Sequence, residues 1–437
     1  MSTSSEPSKN SARCLRPYQE LAVTRFYEND ATIALMPIGS GKTASALHAI
    51  KELLDDGAVT RVLIVAPLRV AEHVWLQEAA LYPALDGLEI RLATGTEKQR
   101  RGALAGRVIV INFENLGWLT KQPEFDYFDG LVWDELSKMR GVSSHRTKAI
   151  RRRLRQFKWI LGLTGELVST GLENLFTQAA VVDRGKALGR TITDFRRIYL
   201  ENTTPWADYP TYEERAGARG KVFERLEPLI FQIPDSVYAD QLPELNVVPV
   251  VTDLDDTSLY DELVAEGLVD LAGFTIENHA SQKLEQAAQG FLYDADGEAH
   301  WFDTNKVDAL GELLTDEPTL VVYNYTAMRD RLMATWGGVP LDVDGWNAGR
   351  VPLMYIHPDS AGHGLNLQDG GHRLIWIAPP WTPDIWKQVN GRLRRGDQKH
   401  PVTAHVMVSA GTIEERIVEV LQGRQDLGAA IRKYFAA

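Results

Sequence analysis

The sequence predicts an α/β protein of two lobes, each with a mostly parallel sheet flanked by helices. Its 437 residues are enough for two to three domains. Apolar runs of strand length alternate with helical patterns, and they form two series separated by a stretch of weaker periodicity. Hydrophobic residues at 44% and charged residues at 24% are globular values, which argue against disordered, collagen-like and coiled-coil proteins.

The first series of apolar runs is too uniformly apolar for a sheet with one face in water. A helical pattern between the first two runs places Leu47, Ile50 and Leu54 on one face. Strand, helix and strand in succession favour a parallel sheet covered on both sides. The runs are 31–36, 62–66, 108–111, 131–133 and 159–163.

A second series of apolar runs follows the region of weak periodicity and ends in an amphipathic helix that carries Ile413 and Ile417 on one face. Several prolines between the two series mark an insertion and linker. The runs are 319–323, 353–357, 374–377 and 403–408. The predicted divisions are a disordered leader at 1–14, a first lobe at 15–182, the insertion and linker at 183–246, and a second lobe at 247–437.

The net charge of −12 suggests at first that the protein avoids nucleic acid, because phosphate backbones attract Lys and Arg. The excess is confined to one segment, since twelve carboxylates and no Lys or Arg lie between Arg225 and Lys283. Acids and bases balance in the rest of the chain. We therefore expect this acidic segment to be a solvated surface that faces away from any nucleic acid.

A single cysteine, Cys14, excludes an intramolecular disulfide and favours a reducing compartment. The Ser-rich stretch 1–13 lacks the apolar core of a signal peptide. No stretch approaches 18 consecutive apolar residues, the length of a membrane-spanning helix. The sequence thus predicts a soluble, cytoplasmic protein.

The strongest local signal is a glycine-rich stretch at 36–43 that follows a predicted strand and opens a helix. Gly39 and Gly41 allow backbone N–H groups to turn toward a phosphate, while Lys42 can reach the β- and γ-phosphates and Thr43 can bind Mg²⁺. Met36 stands where the strict pattern has Gly. The alternative is a glycine-rich turn beside a surface lysine.

Asp134 and Glu135 follow the apolar run 131–133. A carboxylate at the end of a strand neighbouring the phosphate loop can hold Mg²⁺ together with Thr43, and the adjacent Glu can activate water. Alone, such an acidic pair is typical of a loop. The glycine-rich stretch upstream makes it a catalytic candidate.

Arg392 and Arg395 lie three residues apart in the second lobe, so on a helix they would share a face. Arginines from a second lobe can stabilise the charge that develops on a transferring phosphoryl group. A solvated helix face is the alternative for an arginine run. The basic stretch 144–158 has the same two interpretations, since its seven Lys and Arg could follow a DNA backbone or face solvent.

Together these residues resemble the superfamily 2 helicases, specifically the Swi/Snf-type DNA translocases and most of all the compact bacteriophage-encoded ones. Seven stretches match the family's motifs in order, between residue 15 and about residue 420. Besides the phosphate loop and Asp134-Glu135, they are 15–19, 62–78, 320–325, 357–367 and 388–398, and the closing helix at 412–415 also matches.

The resemblance implies two RecA-like lobes with ATP and Mg²⁺ in the cleft between them, and an ATP hydrolase. Gln19 would read the adenine, and Arg392 and Arg395 would act as arginine fingers. The implied nucleotide-binding residues are Gln19, Gly39, Ser40, Gly41, Lys42, Thr43 and Gly364. The implied DNA contacts are Arg69, Asn324, His357 and Ser360.

The implied function is a DNA-dependent ATPase that translocates on DNA, preferably double-stranded, with unwinding or remodelling left open. We expect a monomer, with or without a recruiting protein, in the cytoplasm of the host if a phage encodes it. Two alternatives stay open: a nucleotide-gated DNA-binding or scaffold protein with weak motor coupling, and an RNA helicase.

Two departures from the family pattern bear on these alternatives. Leu136-Ser137 stand where the family has Ala-His or a close relative, and Glu166-Leu167 stand where it has Thr-Pro. The second pair falls in a region that relays the ATP state to the DNA groove in the family. The catalytic pair is intact, so the departures concern the coupling of hydrolysis to DNA.

Overall fold

A computed structural model describes most of the chain, which divides into two compact units, Met1–Ala239 and Asp240–Ala437. The described residues are 13–37, 39–139, 145–165, 167, 171–207, 210–233, 237, 242–266, 268–271, 274–277, 281–361, 365–396 and 398–421. Most of the predicted leader therefore lies outside them. None of the described helices is long and apolar enough to cross a membrane.

The first unit alternates strands and helices as the apolar runs predict. Its strands are β1 (Ala31–Leu35), β2 (Val62–Ala66), β3 (Ile90–Leu92), β4 (Val108–Asn112), β5 (Gly130–Asp134), β6 (Trp159–Thr164), β7 (Leu200–Asn202), β8 (Tyr212–Glu214) and β9 (Ile230–Gln232). Its helices are α1 (Pro17–Glu28), α2 (Lys42–Asp55), α3 (Leu68–Ala79), α4 (Glu97–Ala103), α5 (Leu116–Leu119), α6 (His145–Arg151), α7 (Leu172–Asp183), α8 (Ile192–Tyr199) and α9 (Ala218–Leu226).

Seven strands form a wholly parallel sheet in the order β3-β4-β2-β5-β6-β1-β9. The strand β6 lies between β1 and β5, pairing Leu35 with Thr164 on one side and Asp134 with Leu163 on the other. The expectation that the strand before Asp134 neighbours the phosphate-loop strand was therefore wrong. Both strands still end at the same carboxyl edge, because all the strands run in one direction.

The segment predicted as insertion and linker, 183–246, contains structured elements of the first unit. The helices α8 and α9 lie in it, and β9 pairs with β1 at the edge of the sheet. The strand β9 has no detectable pattern of its own, because it is a three-residue edge strand whose residues are half-buried or exposed. The compact unit ends after Ala239, inside the predicted linker.

The central strands of the first sheet are fully buried, as their unbroken apolar runs predict. Every residue of β2, β4, β5 and β6 is buried. Trp133 on β5 is fully buried, and its Nε1 donates a hydrogen bond of 3.1 Å to the Val181 carbonyl on α7. Each buried aliphatic or aromatic side chain contributes about 1.5–3 kcal/mol, so the core holds the carboxyl edge in place.

The second unit holds the later apolar runs. Its strands are β10 (Leu245–Thr252), β11 (Leu268–Leu271), β12 (Phe274–Glu277), β13 (Phe291–Tyr293), β14 (Ala299–Trp301), β15 (Thr319–Val322), β16 (Val339–Pro340), β17 (Leu353–Ile356), β18 (Arg373–Trp376) and β19 (Val402–Ser409). Its helices are α10 (Ser258–Glu266), α11 (Ser281–Ala288), α12 (Asn305–Leu313), α13 (Thr326–Trp336), α14 (Val343–Asn347), α15 (Pro358–Ala361), α16 (Pro383–Asn390) and α17 (Ile413–Leu421).

Six of these strands form a second parallel sheet in the order β10-β19-β18-β15-β17-β16. Consecutive residues of β17 belong to two different hydrophobic clusters. Met354 packs with Trp346 and Trp376, while Tyr355 packs with Phe291. This alternation shows that both faces of the sheet are covered. The predicted fold class, two α/β lobes with parallel sheets flanked by helices, is confirmed.

The acidic segment is exposed wherever the structure describes its side chains. Its described carboxylates, all exposed, are Glu227, Glu244, Asp253, Asp255, Asp256, Asp261, Glu262 and Glu266. A solvated surface is thus confirmed for these residues. That it faces away from nucleic acid stays a prediction.

Candidate functional site

The phosphate loop connects β1 to α2 at the carboxyl edge of the first sheet. Gly39 and Gly41 have φ of 81° and 79°, in the left-handed region that favours glycine. Gly41 caps the N-terminus of α2, where backbone N–H groups without helical partners attract anions. The predicted loop is therefore built as a cradle, although Ile38 lies outside the described residues.

Lys42, in the first turn of α2, reaches back across this loop. Its Nζ donates to the Met36 carbonyl at 2.9 Å and to the Pro37 carbonyl at 3.0 Å. Ser40 is fully buried and its Oγ donates to the Pro37 carbonyl at 2.7 Å. Thr43 follows in the same turn and is half-buried. The loop thus places the Lys42 ammonium group close to the Ser40 hydroxyl. Binding of phosphate by Lys42 and of Mg²⁺ by Thr43 stays a prediction.

Gln19, the residue expected to read adenine, is buried on α1 and contacts the phosphate loop. Its Nε2 donates to the Ser40 carbonyl at 3.0 Å, and its Oε1 accepts from the Arg16 N–H at 2.8 Å. A side-chain amide has four hydrogen-bonding positions, so these two bonds leave capacity for a base. The contact fixes Gln19 beside the loop, and recognition of adenine stays a prediction.

Asp134 ends β5 at the same edge and is only 9% exposed. Its Oδ2 accepts a hydrogen bond of 2.8 Å from Nε1 of Trp75, a fully buried residue of α3 that the sequence analysis did not connect with it. Burial raises the pKa of Asp134 to about 6, repulsion by Glu135 adds to this, and the Trp75 hydrogen bond and the Lys42 charge oppose it. Such a carboxylate is stabilised by a nearby cation.

Glu135 has a φ of 68°, which is unusual for any residue other than glycine. Conformations of this kind cost of order 1–3 kcal/mol and are found preferentially at functional sites. The Ser137 hydroxyl donates to the Glu135 carboxylate. The turn therefore directs the half-buried Glu135 away from the path of the strand, and Ser137 fixes its carboxylate.

Arg69 and Leu167 are two further described residues of the first-unit motifs. Arg69 is exposed in the first turn of α3, directly beyond β2, where it is free to contact a ligand on the surface. Leu167 is partly buried and packs against the hydrophobic core of the first unit. Glu166 lies outside the described residues.

In the second unit, the predicted DNA contacts Asn324 and His357 lie together at the carboxyl edge of the sheet. They follow the paired strands β15 and β17, and the His357 Nε2 lies 3.1 Å from the Asn324 carbonyl. Ser360 is half-buried, and its N–H donates to the His357 carbonyl at 2.9 Å. The structure thus brings three of the four predicted DNA contacts into two adjacent loops.

Glu285, on α11, is a residue that sequence reasoning missed. It is 2% exposed, and its carboxylate accepts hydrogen bonds from Asn324 Nδ2, from Trp381 Nε1 and from the Tyr325 hydroxyl, the last at 3.0 Å. It therefore joins the loop after β15 to the residues that lead into α16. No local pattern distinguishes it from the other acids of an amphipathic helix.

Arg392 and Arg395 lie beyond the end of α16 at Asn390, so the prediction that they share a helix face was wrong. Both nevertheless contact the Leu365 carbonyl, with nitrogen to oxygen distances of 3.5 and 2.8 Å. Arg392 is 4% exposed and Arg395 is half-buried. The common carbonyl, rather than helical spacing, holds the two guanidinium groups together. Gly364, the adjacent predicted nucleotide ligand, lies outside the described residues.

Comparison of the sequence with known proteins identifies the family to which the chain belongs. A family profile described as DEAD/DEAH box helicase matches residues 16–166. Protein p41 of Acyrthosiphon pisum secondary endosymbiont phage 1 is 30% identical over 450 residues, which cover 92% of this chain and 95% of the phage protein. The chain belongs to the superfamily 2 helicases of Swi/Snf type.

Two further similarities accompany this membership in the superfamily 2 helicases. The DNA repair and recombination protein RAD54 of Oryza sativa subsp. japonica is 38% identical over 517 residues, covering 96% of this chain and 52% of the rice protein. The Sulfolobus solfataricus SWI2/SNF2 ATPase core in complex with dsDNA is 16% identical, with a TM-score of 0.47 and coverage of 95% and 92%. The chain therefore spans about half of the rice protein.

Swi/Snf-type helicases are DNA-dependent ATPases, so the chain is an ATP hydrolase that uses a nucleotide. The departures noted in the sequence have local consequences. Ser137 stands at the coupling His of the family and bonds to the catalytic-motif Glu135 directly. Leu167, at the family's Pro, is held by apolar packing.

For this Swi/Snf-type ATPase, we expect Gly41→Ala to raise the KM for ATP by roughly tenfold or more. A Cβ at position 41 would lie 2.0 Å from Gln19 Nε2, and the φ of 79° is strained for alanine. The Gln19 amide must then leave its contact with the loop, and relief of the strained φ moves the N–H groups that bind phosphate. Steady-state hydrolysis against ATP concentration measures the effect.

Gly57→Ala is the matched control at the other end of α2. Gly57 has a similar φ of 70°, but among the described residues, its own chain neighbours aside, no heavy atom lies within 4 Å of an added Cβ. We expect it to cost about 1 kcal/mol of stability and to leave the KM unchanged. Equal changes of KM in the two variants would show that the contact with Gln19 does not matter.

Proposed function

We propose that the chain is a DNA-stimulated ATPase that moves along double-stranded DNA. The observation that carries this proposal is the meeting of the phosphate loop with Asp134 and Glu135 at one edge of the first sheet. Lys42 is close enough to influence the Asp134 pKa, although β6 separates the two strands. A cation, a buried carboxylate and a second acid at one edge are what hydrolysis of a nucleoside triphosphate requires.

Mg²⁺ is the cofactor that this chemistry implies, and the residues present fit it. A buried carboxylate with a raised pKa and a hydroxyl in the first turn of α2 are the hard oxygen donors that Mg²⁺ prefers. Mg²⁺ in such sites usually takes its remaining ligands from substrate phosphates and water. Thr43 and Asp134 would hold it, and it would neutralise phosphate charge.

In this proposal each protein residue has a separate task. Lys42 exchanges its two carbonyl contacts for phosphate oxygens, since a charged acceptor binds an ammonium group more strongly. Glu135 orients and deprotonates water, and its carboxylate is positioned by Ser137. The family resemblance assigns Arg392 and Arg395 to the charge that develops on the γ-phosphate. Within the second unit, the Leu365 carbonyl holds these two side chains together.

DNA is the proposed track, on two grounds. The chain belongs to a family of DNA-dependent ATPases, and its rice relative is named as a DNA repair and recombination protein. Exposed Arg69 on the first unit, and the loops with Asn324, His357 and Ser360 on the second, lie at carboxyl edges of parallel sheets, the edge where open α/β sheets bind ligands.

The test measures steady-state ATP hydrolysis with no nucleic acid, double-stranded DNA, single-stranded DNA and RNA. We expect double-stranded DNA to give the largest stimulation. Glu135→Gln should abolish it, because removal of a positioned acid-base group costs typically 10²–10⁴-fold in rate. Lys42→Ala should abolish it as well, because the phosphates lose the cation that binds them. The proposal is wrong if none of the polymers raises turnover above that of these variants.

Movement requires a second measurement, because a nucleotide-gated DNA-binding protein could also hydrolyse ATP on DNA. Displacement of a third strand from a triplex on duplex DNA reports translocation directly. We expect ATP-dependent displacement that Glu135→Gln abolishes. Stimulated hydrolysis without displacement would favour the gated-binding function, and stimulation by RNA alone would favour an RNA helicase.

A further inference from the structure

A pocket of about 530 Å³ in the first unit is lined by five cations and, among the residues that the structure describes, by no carboxylate. The cations come from three places in the chain: Arg151 ends α6, Arg155 follows it, and Arg184, Lys186 and Arg190 lie in the loop after α7. Only the first two belong to the basic stretch that the sequence shows. The tertiary structure thus assembles one cationic pocket from segments about 30 residues apart.

The pocket lies at the amino edge of the first sheet, opposite the phosphate loop. Arg184 Nη2 donates to the carbonyls of Phe157 and Lys158 at 2.7 and 3.0 Å, and these residues immediately precede β6. The helix α7 follows β6 and returns along the sheet, so it ends at this edge. The pocket is therefore separate from the proposed ATP site.

The cations of the pocket are positioned mainly by hydrogen bonds to backbone carbonyls and less by ion pairs with carboxylates. Arg151 Nη2 donates to the Arg190 carbonyl at 2.8 Å, and Arg184 has a φ of 63°. Asp30 pairs with Arg184 at 3.4 Å and with Lys186 at 3.0 Å. Within the described part of the chain, Arg151, Arg155 and Arg190 form no ion pair with a carboxylate. Convergent cations that repel one another favour binding of an anion.

A second pocket, of about 340 Å³, is lined by Lys148, Arg152 and Arg153 of the same basic stretch. Arg153 is paired with Asp126, whereas Lys148 and Arg152 have no carboxylate partner among the described residues. The two pockets share the segment formed by α6 and the turn after it. Two cationic pockets along one segment suit an extended polyanion better than a single small anion.

We propose that this cationic face, formed by the two pockets, binds the phosphate backbone of DNA as a second contact outside the helicase motifs. Arginine suits this task because its planar guanidinium matches phosphate oxygens and stays charged. The proposal rests on the proposed function in taking DNA as the ligand. It adds a site at the amino edge of the first sheet, apart from the residues assigned to ATP hydrolysis.

The test compares the triple variant Arg151→Gln, Arg155→Gln, Arg190→Gln with a control that removes three cations elsewhere on the unit. The control is Lys51→Gln, Arg101→Gln, Arg219→Gln, whose cations are all paired with carboxylates. Fluorescence anisotropy gives the affinity for duplex DNA across a salt series. We expect the slope of log K against log salt to fall by about three in the pocket variant, roughly one for each lost phosphate contact, and to stay constant in the control.

The single variant Arg155→Gln keeps the test decisive if the triple variant does not fold, because Arg155 is exposed. It should lower the slope of log K against log salt by about one. ATP turnover without DNA should match that of the unmodified protein in all variants, which separates failure of this proposal from failure of the proposed function. Equal slopes in the pocket and control variants would overturn it. Binding of inorganic tripolyphosphate is measured on the same variants. If the pocket variant loses tripolyphosphate binding but binds duplex DNA unchanged, the pocket takes a small anion and the proposal is wrong.

Discussion

Lys306→Met is expected to lower the free energy of unfolding by about 3–5 kcal/mol. Lys306 on α12 is 3% exposed, and its Nζ donates to both oxygens of Glu414 at 2.8 and 2.6 Å. Burial lowers the pKa of Lys306 and raises that of Glu414, so each charge depends on the other. Methionine would leave a fully buried carboxylate uncompensated, together with the Ile377 carbonyl that also accepts from Nζ at 2.7 Å.

A second substitution tests this reason. In Lys306→Met with Glu414→Gln the buried charge is removed, and the Gln oxygen can still accept from the Ser409 N–H, which lies 2.8 Å from Glu414 Oε2. We expect the double variant to regain most of the stability in urea denaturation. The control is Arg416→Met, which breaks a half-exposed ion pair of 3.8 Å with Glu419 on α17, the helix that carries Glu414. It should change the free energy of unfolding by under about 1 kcal/mol. A double variant no more stable than Lys306→Met would refute the argument.

Asp134→Asn is expected to abolish ATP hydrolysis and yet to stabilise the nucleotide-free protein by up to about 3 kcal/mol at pH 8. Burial raises the Asp134 pKa to about 6, above the ordinary 3.8. The folded state therefore binds this proton more tightly, and wild-type stability falls as pH rises from about 3.8 to about 6. Asparagine carries no such charge, so the gain should be largest above pH 6 and about half as large at pH 5.

Asp129→Asn, at the other end of β5, is the control of opposite sign. Burial alone would raise the Asp129 pKa, but the Arg61 and Thr60 N–H groups and the Lys158 ammonium outweigh burial and hold the pKa below its usual range. This carboxylate stabilises the fold above its unfolded pKa, so Asn should destabilise the protein at pH 8. Thermal unfolding of both variants at pH 5 and pH 8, without Mg²⁺, measures the effects. Destabilisation by Asp134→Asn at pH 8 would contradict the assigned pKa.

The closing helix α17 shows how a sequence motif acquires its physical meaning. Thr412 to Glu415 matches the end of the family pattern, but the sequence does not tell what these residues do. In the structure the Thr412 hydroxyl donates to the Ser409 carbonyl at 2.7 Å, and Glu414 pairs with Lys306 more than 100 residues away. The motif therefore fixes the helix to the sheet, a role that requires a partner distant in sequence.

The sequence by itself determined the features that depend on local order. Unbroken apolar runs specified the buried parallel strands, because a strand covered on both faces needs no polar residues. Gly39, Gly41, Lys42 and Thr43 specified the cradle, because left-handed backbone and helix start are set within a few residues.

Tertiary structure alone decided features whose members are far apart in the chain. Three features follow from how whole strands and helices pack. They are the place of β6 between β1 and β5, the three hydrogen bonds that Glu285 accepts, and the hydrogen bond from Arg151 to the Arg190 carbonyl. Three-residue β9 was missed for the same reason, since its pairing with β1, and not its own pattern, makes it a strand. Contacts and hydrogen bonds between residues far apart in the chain produce no periodic pattern in the sequence, so only the tertiary structure shows them.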